Sequence, residues 1–472
     1  METTILILLP IAGAVALWFA PRLSARAAGG FALLVALAEL AYWIGTALNF
    51  DFDAAGPQGG ADRVWFADLD VAYRVGLHDY SLWLVGLTAV VTAAAVGYGF
   101  WVGRERAGVY LSLLLFLEGA TIGVFTAQDL ILFYLFWEAM LIPLYVLIGV
   151  WGGPGRLGAT VKFVVYTMAG SLLMLVAIIA AGLEAGTFDM TTAVGDGSST
   201  WIFLGFAAAF AVKAPLWPFH GWLPDAYRES PPEVAGVLSG VISKTAAYGF
   251  LAIAVPFYPG PAEDWRVPVL VLASIGLVYG SLLAFRAPDV RGVVAYSSLA
   301  QMNLIVIGIF AANASGSTGA LLQAVNHGLI SAALFLLAGA IERRTSTGQL
   351  ALLGGMARGR PALATLLVAT GVIALAVPGS GAFAAEFLVL NGVFAVGWGW
   401  AVVGAAAIVL AAMYMLRLVS AVLHEGVGSA VPAEALDLRP AEIGVIAPLL
   451  VVLLALSFWP AAITDRLSGA LF

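Results

Sequence analysis

Apolar stretches of roughly 18 to 26 residues recur along the whole chain, each long enough to cross ~30 Å of hydrocarbon as a helix. Charged or Gly/Pro-rich breaks separate them. Counting runs between breaks predicts fourteen helices, at about 3–20, 30–49, 80–101, 108–126, 128–150, 160–184, 200–218, 231–258, 267–285, 289–311, 316–341, 361–394, 398–423 and 441–460. The first run follows the acidic Glu2 instead of a basic segment, so it reads as a retained helix and not a cleaved signal.

Charge in the connections orients these spans. If successive loops alternate sides, 15 Lys/Arg fall on one face, while Arg63, Arg74, Arg266 and Arg466 fall on the other. Lys213 and Lys244 lie inside spans. The positive-inside rule puts the richer face in the cytoplasm, as in a bacterial inner membrane, so both termini face outward. The long Asp-rich loop from Asp51 to Asp79 lies on the outer side. Composition agrees with the bilayer as solvent. Of 472 residues 62% are hydrophobic and 10% charged, at a mean hydropathy of +1.00, where ~25% charge is usual for soluble domains. Soluble-enzyme and nucleic-acid-binding classes drop out. Cysteine is absent, which removes disulfides, thiolate-held iron–sulfur clusters and CxxC chemistry from this chain. No His/Asp/Glu group has metal-ligand spacing.

The fold class that follows is all-α and polytopic. Its expected division is a flank of three helices (1–107), two five-helix blocks (108–258 and 259–424) and a last flank helix (425–472). An odd number of helices per block sets consecutive blocks in opposite orientations, the arrangement of inverted repeats. The fourth helix of each block is interrupted: Pro215 and Pro218 follow Lys213 in the first, and Pro378, Gly379 and Gly381 precede Glu386 in the second. Proline removes a backbone donor, and the freed carbonyls need partners at membrane depth. One such break is commonly a packing kink. Two in corresponding helices suggest an ion path.

Ionisable residues at membrane depth cost ~2.5–3.5 kcal/mol each on insertion scales and so need a partner, a wet cavity or a role. Glu138, Lys213, Lys244, His327 and Glu386 lie on five different helices in both blocks. One carboxylate and one ammonium per block would serve as a plain structural ion pair, and a lone histidine more often bonds a neighbour. Five groups on five helices fit a proton relay better, with a Glu138–Lys213 pair handing protons to Lys244, His327 and Glu386. Glu39 and Glu118 lie outside the broken-helix neighbourhoods and read as structural, with a partner subunit or lipid-side water open to them as surroundings. Trp137 and the aromatics around Glu138 read as packing.

Three stretches carry a family resemblance: FYLFWEAMLIPLYVLIGVWGG at 133–153, AVKAPLWPFHGWLPDAYRESPPEVAGVLSGVISKTAAYG at 211–249, and NHGLISAALFLLAGAIERR at 326–344 with GAFAAEFLVLNG at 381–392. They resemble the antiporter-like membrane subunits of respiratory complex I, and with GVVAYSSLAQM at 292–302 and MYMLRL at 413–418 the similarity covers most of 108–424. Glu386, where chains L and N usually carry lysine, is similar to the chain M type. The resemblance implies a fourteen-helix subunit with two inverted five-helix repeats. It implies Glu138 as conduit glutamate, Lys213 as broken-helix lysine, Lys244 as central lysine, His327 as the histidine of helix eleven and Glu386 as terminal carboxylate. Asp225, in WLPDA, is implied near the cytoplasmic end, with water uptake or a capping bond as its role. Three positions depart from the pattern: Gln301 replaces the usual histidine, Met168 a glutamine, and Arg291 a lysine.

What the resemblance implies functionally is a proton-translocating subunit of an NADH:quinone oxidoreductase with no cofactor of its own. NADH, FMN, iron–sulfur clusters and quinone are expected in partner subunits, and flanking antiporter-like subunits and the lipid bilayer are its contacts. The competing readings are a subunit of an Mrp-type multisubunit cation/proton antiporter and a non-pumping spacer that transmits conformational change.

Overall fold

The computed structural model describes residues 1–54, 56–192, 197–434 and 436–467. Helices α1 (Glu2–Trp18) and α2 (Ala25–Leu48) lead into a hairpin of β1 (Gln58–Phe66) and β2 (Val71–Leu77). Then follow α3 (Asp79–Val102), α4 (Ala107–Thr126), α5 (Leu130–Trp151), α6 (Arg156–Ala185) and α7 (Thr200–Lys213). The short α8 (Leu223–Glu229) precedes α9 (Pro232–Phe257), α10 (Arg266–Arg286), α11 (Val290–Phe310) and α12 (Ala314–Thr345). The chain ends through α13 (Pro361–Ala374), α14 (Gly381–Val396), α15 (Trp398–Leu423) and α16 (Pro440–Phe458). Local chemistry sets several starts: Ser24, Asp129, Asp289 and Asn313 each accept a backbone N–H of the first turn that follows.

Eleven helices among the described residues are long and apolar enough to cross a membrane, and α1, α7, α13 and α14 are shorter apolar helices. The expected fourteen spans require α13 and α14 to count as halves of one interrupted span. The other differences have local causes. The run at 128–150 forms one apolar span, Leu130–Trp151, with a local irregularity at Met140, two residues after Glu138, because Pro143 has no N–H for the Ala139 carbonyl. The segment from Asp51 to Asp79 is not simply a loop: β1 and β2 pair antiparallel. Arg74 on β2 gathers Asp62, Asp70, Asp129 and Asp189 within 3.8 Å, and the amino terminus donates to the Gly59 and Gly60 carbonyls. Strong local charge pairing therefore gives structure to a segment whose composition reads as a connection.

Burial inverts the soluble pattern. Leu183, Trp201 and Phe394 are exposed on the outside, whereas α9 and α12 are buried along their apolar windows and carry Lys244 and His327. With no water outside, apolar side chains face lipid and polar groups turn inward. Gly240 on α9 and Gly328 on α12 mark the closest crossing. A Cβ on the first would lie 2.9 Å, and on the second 2.6 Å, from the other's carbonyl oxygen.

Candidate functional site

Beside that crossing, Lys244 Nζ lies 2.7 Å from His327 Nδ1, and it also donates to the Ser239 carbonyl at 2.7 Å and to Ser243 Oγ at 3.3 Å. An ammonium has three donors and no acceptor, so all three are used. With the lysine charged, His327 Nδ1 must be the lone-pair nitrogen and its ring proton sits on Nε2. The backbone helps place Lys244: Ser243 N–H bonds the carbonyl five residues back, on Leu238, a π-type turn that shifts the following side chain around the helix. Behind the ammonium, Ser239 Oγ lies 2.8 Å from Ser298 Oγ and 2.5 Å from Ser331 Oγ, which ties α9 to α11 and α12 by hydroxyls.

Lys213 ends α7 at the first break. Its Nζ sits 3.7 Å from the centroid of the Trp137 ring and makes no hydrogen bond among the described residues. Glu138, adjacent to Trp137, is half-buried, has an unpartnered Oε1 and interacts with Lys213 electrostatically without bonding it. The Trp137 face, read from sequence as packing, is thus the ammonium's nearest partner. The break itself is satisfied within the protein. Trp222 Nε1 donates to the freed Val212 carbonyl at 2.9 Å, and Asn303 Nδ2 donates to the Pro215 carbonyl at 3.3 Å. Ala209 to Lys213 pack toward α9 through Phe210, which meets Gly249 and Phe250.

At the second break Ser380 caps α14, and Gly381 fits because a Cβ there would lie 2.7 Å from Asn326 Oδ1 of α12. This sets Glu386 inward, where Gln301 Nε2 donates to Oε1 at 3.2 Å and Gln323 Nε2 at 3.4 Å. Gln323 also donates to Gln301 Oε1 at 2.7 Å. A cavity of about 20 Å³, lined by His327, Gln301, Gln323, Ser297, Ser331 and Tyr414, joins the histidine to this amide pair. That volume accommodates about one water, for which polar lining is required.

Asp225 stands apart from the buried groups. It is half-exposed on α8 and pairs with Lys162 at 2.5 Å. Nearby, the pairs Arg228–Asp289 and Arg291–Glu342, with Arg104 on its partner Glu233, line a cavity of about 630 Å³ at one end of the bundle, Glu233 itself lying buried behind it. Arg291 is fully engaged there, with Glu342 and with the Arg228 and Ser230 carbonyls. Glu39 and Glu118 have neither of the surroundings left open from sequence: they are 0% and 1% exposed, enclosed by the flank helices. Sequence reasoning missed Ser239, Ser298, Ser331 and Gln323. The available signal was the density of small hydroxyl and amide residues in otherwise apolar helices, which in membranes marks helix–helix hydrogen bonding.

A fold of buried helices carrying ionisable side chains, interrupted twice beside them, defines an antiporter-like polytopic membrane protein. Residues 127–412 match the model of the NADH:quinone oxidoreductase/Mrp antiporter membrane family, and the chain belongs to that family. It is 37% identical to NADH-quinone oxidoreductase subunit M of Rhodobacter capsulatus, over 98% of this chain and 94% of that protein. Among solved structures it is similar to a chain of respiratory complex I from Thermus thermophilus, at 28% identity, TM-score 0.90, and 99% and 100% coverage of the two chains. A chain of the Mrp complex from a Dietzia species shares the fold, with TM-score 0.89 and 20% identity over 100% of this chain and 97% of that one.

Proposed function

We propose that this chain is the proton-translocating M-type subunit of an NADH:quinone oxidoreductase, with its termini on the outer side of the cell membrane. Glu138, Lys213, Lys244, His327 and Glu386 are its relay, in two antiporter-like blocks flanked by the first three helices and the last. The observation that carries this reading is the Lys244–His327 contact, which meets the Gln301–Gln323–Glu386 network across a cavity of one-water size. At 2.7 Å two positive charges repel strongly in a low-dielectric interior, so this pair holds one positive charge at a time. Adding a proton from the Lys213 side drives one off toward Glu386. Lys213 supplies the variable charge, since its ammonium rests on a ring face and an offset carboxylate instead of a hydrogen bond.

Electron transfer in partner subunits supplies the driving energy. The chain has no cysteine to hold an iron–sulfur cluster, so its own residues move protons and orient donors. The test is Lys213→Ala in the assembled complex in liposomes. The expected result is intact assembly with a lower proton-to-electron ratio or lower quinone reduction; if both are unchanged, the relay is refuted. Co-purification with flavin- and iron–sulfur-bearing subunits supports this assembly, and co-purification with antiporter subunits alone overturns it in favour of the Mrp type.

A further inference from the structure

Glu39 on α2 and Glu118 on α4 are the two buried carboxylates that the relay leaves unused. Both oxygens of each are buried and without a hydrogen-bond partner, and the two residues repel one another electrostatically. Their common level in the bundle follows from the packing of α1. A Cβ on Gly13 would lie 2.8 Å from Val35 Cγ1 and 3.3 Å from Leu115 Cδ1. Glu39 and Glu118 stand one helical turn beyond those two contacts. Gly119, next in chain, packs on α1 so closely that a Cβ would lie 2.6 Å from the Ile7 carbonyl oxygen.

Two further features reach the same level. Pro10 lies buried inside α1, and its missing N–H leaves the Leu6 carbonyl without its helical donor. On α3, Gly99 abuts Leu111 of α4; two turns further along these antiparallel helices lie Thr92 and Glu118. Thr92 is 1% exposed, and its Oγ1 is unpartnered. A hydroxyl and two carboxyls therefore lie at one level of the bundle, beside the turn of α1 that holds Pro10.

Other charged groups on the packed elements are Glu2 and Arg26 near helix ends, Asp79 opening α3, Arg74 on β2, Glu138 on α5 and Lys244 on α9, together with tyrosines such as Tyr42. None of the cations contributes attraction to either carboxylate. Two buried anions that repel one another, with no hydrogen bond and no attraction from a cation, are far costlier than a neutral acid.

We propose that Glu39 and Glu118 form a second proton-binding site, a carboxyl pair that holds a proton between α1, α2 and α4 and exchanges it with water. Loading transfers a proton from hydronium to one carboxylate and releases water; unloading reverses it. Because α4 also packs on α5 and on the α9 segment that begins at Lys244, the pair lies one helix away from the relay. The proposal does not depend on the relay.

The experiment is infrared spectroscopy of the intact resting complex, in H₂O and D₂O, with Glu39→Gln, Glu118→Gln and the double variant. Glutamine keeps the shape and cannot release a proton. A protonated-carboxyl stretch that shifts in D₂O, moves in frequency in each single variant and vanishes in the double one is the expected result. Where the double variant does not assemble, the shifts in the single variants give the same answer. A spectrum unchanged by both substitutions means two ionised carboxylates, and a band that ignores D₂O means a sealed structural acid; either overturns the proposal. Since no turnover is required, a failed relay and a failed carboxyl pair are read separately.

Discussion

Lys244 Nζ and His327 Nδ1 are 2.7 Å apart where α9 and α12 cross, at a point that only the facing Gly240 and Gly328 allow the helices to reach. This contact separates proton transfer from structural support. In His327→Gln the amide oxygen still accepts from the ammonium but takes no proton. The expected outcome is an assembled complex in which proton pumping falls by about tenfold or more, corresponding to ~1.4 kcal/mol on the transfer barrier. Pumping measured by a pH-sensitive dye in proteoliposomes checks it. Retained pumping would make His327 a packing residue.

Trp137 supplies the face on which Lys213 rests at 3.7 Å. A desolvated cation–π contact is worth about 2 kcal/mol, more for Trp than for Phe. Trp137→Phe is therefore expected to keep most activity, and Trp137→Leu to lose it by up to about thirtyfold if the charged form of Lys213 is rate-determining. Quinone reduction and proton release by the two variants, compared at equal assembly, test this order. Equal behaviour of Phe and Leu would reduce the ring to space filling.

Glu386 depends on amide donors from two other helices. In Gln301→Leu one donor disappears and Gln323 loses its acceptor, an expected loss of about 1–3 kcal/mol from buried groups left unpaired. Thermal unfolding of the complex measures that loss. Gln301→Glu adds a second carboxylate beside Glu386 and is expected to impair pumping without opening a cavity. Gln301→His restores a titratable group, and its pumping should exceed that of the leucine variant.

Most of the apolar helices, both breaks and the burial of Lys213, Lys244, His327 and Glu386 were legible in the sequence because bilayer thickness imposes one length and charge burial is expensive. What the sequence hid depends on contacts between distant segments. Trp137 is one aromatic among many until α7 brings Lys213 over its face. Glu39 and Glu118 are 79 positions apart, and only the packing of α1 shows that they share a level. The hairpin at 58–77 is held by Arg74 reaching Asp129 and Asp189, so its strands have no local periodicity strong enough to announce them. Gln301 stands where the resemblance implies a histidine, and its hydrogen bond to Glu386 is visible only in three dimensions.

Asp437, outside the spans, caps a helix from far along the chain: it accepts from Ala362 N at 2.7 Å and Leu363 N at 3.0 Å, the first turn of α13. Partial burial alone would raise its pKa, but the backbone donors of Leu363, Ala362 and Leu438, with Arg344, hold it below the usual carboxylate range. A folded-state pKa below the unfolded one gives stability that is present above the unfolded value and lost as pH falls through the folded value. Asp437→Ala is expected to cost about 1 kcal/mol at neutral pH, as for other lost caps. That deficit should persist down to about pH 4 and close below it, because the ordinary carboxylate titrates there. Asp437→Asn keeps a capping oxygen without a charge, so its stability relative to the alanine variant should be independent of pH. Melting curves of the three complexes across the acid range decide the matter: a deficit that does not change with pH would show that geometry alone, and not the ionised carboxylate, anchors the first half of the second broken span.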